Sequence, residues 1–261
     1  MLRQRVVTAI LGAILVVGAT LLGGVWTALL FAAIAVVSVL EIGAMMKVRA
    51  ASAENIIAVA FTILMVMWTP FEQFWYVLFY ALLVVTILRR EQFSFSGAGV
   101  LFAAALYSSY AFRMMLDLRS LSDGIGWVLI VFVGIWSTDT GAFFVGRAFG
   151  GRKLLPEVSP KKTVSGAFAG FVFATVLTPL AGSFMIRGGA HNWPELAFLG
   201  AMISIAGQLG DLVESALKRH YAVKDSGWIL PGHGGILDRF DSLLLAAPIA
   251  YHLITWLFPH A

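Results

Sequence analysis

Residues 204–242 read SIAGQLGDLVESALKRHYAVKDSGWILPGHGGILDRFDS, a concentration of polar and charged groups in a chain that otherwise avoids them. Stepping about 100° per residue from Asp211 places Ser204, Gln208, Asp211, Glu214, Ser215, Lys218 and Arg219 within roughly 140° of arc. Leu212, Val213, Ala216 and Leu217 take the opposite side. The run upstream, Leu196 to Leu209, is apolar enough to enter a bilayer. One helix is therefore predicted to carry Asp211 and Glu214 at membrane depth and to end in Lys218 and Arg219 at an interface. Charge inside hydrocarbon costs several kcal/mol unless it is paired or functional. The plainer reading, a helix leaving the membrane with a solvated last turn, is the weaker one for so dense a stripe.

Past this helix, Lys224 and Asp225 lead into Pro231-Gly232-His233-Gly234-Gly235, then Asp238, Arg239, Asp241 and Ser242. Glycines at 232, 234 and 235 remove the side chains that would keep backbone N–H groups away from a phosphate. A new helix starting near Ile236 would put Asp238 and Asp241 three residues apart on one face. Joined by Asp211, they make an all-oxygen site suited to Mg²⁺, whose other ligands are typically waters and phosphate oxygens. Lys218, Arg219, Lys224 and Arg239 surround it with positive charge. Carboxylates for a hard metal, cations for phosphates and a glycine turn together describe phosphoryl-transfer chemistry.

The 261 residues are 60% hydrophobic and 12% charged, with mean hydropathy +0.89. A soluble domain carries about 25% charged residues. The expected fold is an all-α polytopic integral membrane protein, because backbone polar groups in lipid need internal partners. Nine apolar runs qualify as spans: 6–22, 25–46, 55–70, 74–88, 97–115, 126–146, 164–186, 195–217 and 242–257. They form a single membrane domain over 1–261. Residues 1–115 supply spans one to five, and 126–261 supply the catalytic spans six to nine with cytoplasmic loops 147–163 and 218–241. With a cytoplasmic N-terminus, fifteen of the 18 Lys and Arg fall on the cytoplasmic side. Arg119 and Arg187 fall on the other side, Arg113 lies inside a span, and the C-terminus ends on the face opposite the N-terminus. The same distribution puts the reactive stretch where nucleotides are and argues against nucleic acid as the partner of this basic chain. No cysteine is present, so neither a disulfide nor a thiolate metal site enters the reading.

Arg3 and Arg5 precede an apolar run with no A-x-A-like cleavage site after it, so the run reads as a retained first span. Glu41, late in the second span, either pairs near the interface or snorkels. Arg113 has a structural partner as readily as a functional one. His191, His220, His252 and His260 are lone and near interfaces. His233 sits between glycines beside the carboxylates, where it either donates to a phosphate or braces the turn. The sixth span carries Asp139, with Gly146 and Gly150 on the same helical side, open to close approach by another helix or a ligand. The loop 147–163 that follows holds Lys161 and Lys162 and is partly an ordinary positive-inside loop.

Ser215-Ala216-Leu217-Lys218-Arg219, Lys224-Asp225-Ser226 and PGHGGILDRFDS resemble the signature of the phosphatidate cytidylyltransferases (CDP-diacylglycerol synthases). STDTGAFFVGRAFGGRKLLPEVSPKKT, residues 137–163, is similar to a second block of that family, with Ser165 standing where the family pattern has a glutamate. LRQRVVTA at the start resembles the family's N-terminus. The resemblance implies an enzyme that transfers the cytidylyl group of CTP to phosphatidic acid in a bacterial cytoplasmic (inner) membrane, with Mg²⁺ and room for a second cation. Asp211, Asp238 and Asp241 would hold the metal. Lys218, Arg219, Lys224 and Arg239, with Lys161 and Lys162, would bind phosphates. Asp139, Asp225 and Glu214 would orient these cations or extend the metal shell, and Ser215, His233, Gly234 and Gly235 would line the substrate site. Lys161 and Lys162, in a separate loop at the interface, are expected to meet the lipid headgroup, and Lys218 and Arg219 the triphosphate. A homodimer is compatible with this reading. The rivals are another lipid phosphotransferase or lipid kinase, and an ion-coupled transporter. The D-G-x-x-A-R pattern of CDP-alcohol phosphotransferases is absent, and the polar residues concentrate in one half instead of repeating across two.

Overall fold

The computed structural model describes residues 2–68, 73–187, 192–229 and 234–259. Among them are nine α-helices: α1 (Leu2–Leu22), α2 (Gly24–Met45), α3 (Ala53–Met67), α4 (Trp75–Leu88), α5 (Phe95–Ser120), α6 (Gly124–Phe149), α7 (Val164–Met185), α8 (Trp193–His220) and α9 (Leu237–Leu257). The expectation of a helical chain is met, apart from one short element. Residues Lys153–Leu155 (β1) and Ser159–Thr163 (β2) form an antiparallel hairpin inside what the sequence presents as a plain loop. Six helices, α2 and α5 to α9, are long and apolar enough to cross a membrane. Apolar stretches Ile10–Leu22, Ala53–Met67 and Trp75–Leu88 are shorter, so α3 at 15 residues spans only about 22 Å at 1.5 Å per residue. The later helices outrun their apolar stretches: α8 continues to His220 as a polar-faced extension.

The chain divides into two compact units, Met1–Leu116 with His220–Arg239, and Asp117–Arg219 with Phe240–Ala261. The segment His220–Arg239, read from the sequence with the later helices, groups with the earlier ones. In this first unit α2 turns into α3 through Lys47 in the left-handed region (φ 61°), and Ser52 caps α3 by accepting from the Asn55 N–H. A Cβ on Gly43 would fall 2.6 Å from Asn55 Oδ1, so the two helices meet at a glycine. Phe61, Met65, Leu78, Leu82 and Leu101 form the apolar interior. Arg89 at the end of α4 pairs with buried Glu54 in the first turn of α3 at 3.1 Å. Arg113 settles on its structural alternative: Nη1 donates at 3.3 Å to the Val66 carbonyl. That carbonyl belongs to the last turn of α3, where intrahelical partners run out and a cation is favoured.

The second unit is a bundle with glycine at its crossings. A Cβ on Gly170 of α7 would fall 2.6 Å from the Thr138 carbonyl of α6, and one on Gly166 would fall 2.8 Å from the Ala142 carbonyl. On α6, Gly146 faces Thr163 and Gly166 as expected for a close-approach position. Gly150 does not share that role: nothing lies within 4 Å, and it ends α6 as a cap with φ 58°. At the far ends of α6 and α7, Asp123 accepts from the Arg187 N–H at 2.9 Å and pairs with its guanidinium at 3.4 Å. Helices in lipid gain no hydrophobic force from each other and associate through such close packing. Gly170→Ala must therefore displace backbone and is expected to cost about 1–3 kcal/mol by overpacking. Gly12→Ala, with nothing within 4 Å, should be neutral or stabilising through helix propensity. Thermal melts of the two variants in one detergent check the contrast.

Candidate active site

In the second unit the polar stripe of α8 meets the hairpin. Strand alternation sends neighbouring side chains to opposite faces: Lys161 is exposed, whereas Lys162 forms an ion pair with Asp211 Oδ2. Ser215 Oγ–H donates to Asp211 Oδ1 at 3.3 Å, one turn along the helix. Asp241, in the first turns of α9, feels Asp211 and Asp139 as like charges and Lys162 as an opposite one. Its Oδ1 accepts from the Ser242 N–H at 2.6 Å. Gly210 makes this meeting sterically possible, since a Cβ there would fall 2.5 Å from the Asp241 carbonyl. Asp139, Asp211, Asp241 and Lys162 thus form one charged group.

Glu214 is buried and pairs with Lys218 at 2.5 Å on the same helix. Arg219 Nε donates to the Val158 carbonyl at the hairpin turn at 3.3 Å, tying the end of α8 to that turn. The hairpin is fixed at its other end by Thr163, which caps α7 by accepting from the Gly166 N–H at 3.1 Å. Ser165, in place of the glutamate, donates to the Gly150 carbonyl and so ties the α6 cap to the start of α7. Of the two basic clusters, Lys162 stands at Asp211, and Lys218 is engaged by Glu214.

In the first unit, Ser226 and residues 235–238 are gathered around two carboxylates. Asp238 Oδ2 accepts from the Ser226 N–H at 2.8 Å, Ser226 Oγ–H at 3.0 Å and the Gly235 N–H at 2.8 Å. Gly234 is required twice over, by φ 81° and because a Cβ would fall 2.6 Å from Asp238 Oδ2. Buried Glu41 accepts from Ser226 Oγ–H at 2.8 Å, the Ile236 N–H at 2.9 Å and the Leu237 N–H at 2.9 Å. The described backbone N–H groups of Gly235, Ile236 and Leu237 are thus turned to the chain's own carboxylates, where the glycine pattern led us to expect a phosphate. Lys224, Asp225 and Arg239 are exposed, and His233 lies outside the described residues. The sequence left Glu41 undecided and gave Ser226 no role. The available signal was that Glu41 is the one charged residue between Val6 and Met46, and an ionisable group within a span is a functional candidate by default.

A cytidylyltransferase family model matches residues 3–257. The chain belongs to the cytidylyltransferase family. Among curated members, the phosphatidate cytidylyltransferase of Bacillus subtilis (strain 168) is 38% identical over 269 aligned positions, covering 97% of each chain. The enzymes of the same name from Staphylococcus haemolyticus (strain JCSC1435) and Staphylococcus aureus (strain COL) are 36% and 34% identical, each over 95% of this chain and 97% of the relative. Family membership thus extends over both units.

For this cytidylyltransferase-family chain, the acidic groups acting on Asp241 are Asp211 and Asp139, carboxylates of the kind a hard divalent cation takes as ligands. Among the described residues no three His, Cys, Asp or Glu side chains converge as a complete metal-binding group. Mg²⁺ needs no such cage where one or two carboxylates are completed by phosphate oxygens and water. Like charges held together disfavour the folded state. With divalent cations chelated, Asp241→Asn keeps the Oδ1 acceptor but removes a charge. It is expected to raise Tm by about 2–4 °C, the shift that about 1 kcal/mol produces at this chain length. A lowered Tm in a chelator-containing melt would contradict the like-charge reading.

Proposed function

We propose that the chain is a phosphatidate cytidylyltransferase: CTP and phosphatidic acid give CDP-diacylglycerol and pyrophosphate. The observation that carries this reading is full-length similarity to enzymes of that name, together with a charged group on α8 and α9 suited to a nucleoside triphosphate and its cation. The lipid phosphate, already an anion, attacks the α-phosphorus of CTP in line; the new P–O bond forms as the bond to pyrophosphate breaks. No general base is required by this step, so catalysis rests on positioning and on charge.

Asp211 and Asp241 are proposed as the carboxylates for Mg²⁺, with Asp139 behind them. When bound, the ion would neutralise triphosphate charge and orient the α-phosphorus. Lys162 supplies an ammonium at Asp211 that phosphate oxygens can share, and Lys161 is exposed beside it. Glu214 holds Lys218 in place. Asp238, the third carboxylate of the expected metal set, fixes the turn that leads into α9.

Removing a group that stabilises transition-state charge costs about 2.7–4 kcal/mol. Asp211→Asn and Asp241→Asn are each expected to lower kcat at least about 100-fold, with normal abundance in the membrane. CTP turnover by purified protein with phosphatidic acid in mixed micelles measures this, and near-normal rates in both variants would exclude the assignment.

The proposed orientation places the N-terminus and the hairpin on the cytoplasmic face of a bacterial inner membrane. Support comes from the distribution of Lys and Arg and from Arg187 and Asp123 pairing at the far ends of α6 and α7. The chain lacks cysteine, so single cysteines report without background. Impermeant thiol reagent on intact cells should label Ser122→Cys and leave Glu157→Cys unlabelled until the membrane is opened. The reverse pattern would overturn the orientation.

A further inference from the structure

Glu41 lies far in sequence from every family motif, yet the fold brings it into the motif segment of its own unit. Its carboxylate is 5% exposed as a residue average and takes three donors at once. Two of these, the Ile236 and Leu237 N–H groups, sit at the start of α9, where a helix has N–H groups without intrahelical partners and favours negative charge. The third is the Ser226 hydroxyl, whose oxygen also lies 3.0 Å from Asp238 Oδ2, so that the two carboxylates share one proton. The packing is equally tight: a Cβ on Gly227 would fall 2.5 Å from Glu41 Oε1, and Gly235 also lies against this carboxylate. A helix cap is ordinarily supplied by the residue just before the helix. Here it comes from α2, nearly two hundred residues upstream, so the geometry of the segment that holds Lys224, Asp238 and Arg239 depends on one buried side chain of another helix.

We infer that Glu41 is a positioning residue for the transfer reaction: it fixes residues 224–229 and the first turn of α9 in their working geometry through Ser226, Ile236 and Leu237. The inference rests on the proposed cytidylyl transfer for its kinetic consequence but not for its structural one. Hydrogen-bond chemistry separates it from simple packing. Glutamine has nearly the same shape, but one of its two ends is an NH₂ donor, which must face the Ile236 N–H or the Leu237 N–H as donor against donor. A residue that only fills space would tolerate that exchange.

The test joins kinetics to a local probe. A nitroxide on Trp228→Cys, a highly exposed position inside the segment, reports mobility by electron paramagnetic resonance. Glu41→Gln in that background is expected to loosen the label. In the otherwise unaltered chain it should lower kcat per folded molecule at least tenfold, with KM for CTP changed less than threefold. Glu41→Asp, which keeps both acceptors one methylene shorter, should fall between the two. Glu54→Gln, a buried carboxylate paired with Arg89 in the same unit, serves as control and should lower stability without changing kcat per folded molecule. A Glu41→Gln enzyme with kcat within twofold of the parent, or a label as immobile as in the parent, would overturn the inference. If Glu41→Gln does not fold, Glu41→Asp is measured in the same two ways, and parent-like kcat or a parent-like label overturns the inference there too. Should the parent itself fail to turn over CTP, the functional reading falls, and label mobility alone decides whether Glu41 holds the segment.

Discussion

A carboxylate taken out of water must be met by protons or by positive charge, and most of this architecture can be traced to how each one is met. Glu54 meets Arg89, Glu214 meets Lys218, and Glu41 meets two helix N–H groups and a hydroxyl. Each of these pairings ties one element of a unit to another or stiffens a single helix. The group around Asp241 differs in kind. Asp211 and Asp139 act on it as like charges, and Lys162 acts on it as an opposing one. A surplus of negative charge held by a tightly packed bundle is an expensive arrangement for stability, and its natural use is to receive a cation together with anionic substrates.

That surplus is tolerable only because the backbone around it cannot relax away. Gly210 brings α8 against the Asp241 carbonyl, and Gly166 and Gly170 bring α7 against α6, the helix that carries Asp139. In a bilayer no hydrophobic force draws helices together, so the closeness must come from small residues and from polar links such as Gln208 Nε2 donating to the Ala167 carbonyl at 3.2 Å. Glycine therefore acts here at a distance from the chemistry. It sets how near two carboxylates can be brought.

Much of this was legible in the sequence where the signal is local and periodic. The polar stripe from Ser204 to Arg219 needs only helical phase, and the start of α9 next to Ile236 needs only a glycine turn followed by an apolar run. The helical fold follows from the same two cues. Glu41 was visible as an anomaly, but its partners lie 185 to 196 positions away, and no period in a sequence encodes such a separation. Glycines 234 and 235 were legible as a tight turn but not as a turn closed by the chain's own carboxylates. The reason is that a backbone N–H opened by glycine donates to a buried Asp oxygen as readily as to a phosphate oxygen.

The hairpin marks the sharpest limit of a composition-based reading. As a positive-inside loop, residues 147–163 present Lys161 and Lys162 as one cluster, and a cluster invites a single role. As a strand, the same residues have two faces, and adjacent lysines must diverge. Lys162 goes to Asp211 while Lys161 stays exposed, so the two neighbouring lysines meet different surroundings. Arg219, held to the Val158 carbonyl at the hairpin turn, couples the end of α8 to the same element. The two basic regions that looked separate along the chain are therefore parts of one structure within the second unit, and the lysine paired with the key carboxylate comes from the strand, not from the helix that bears it.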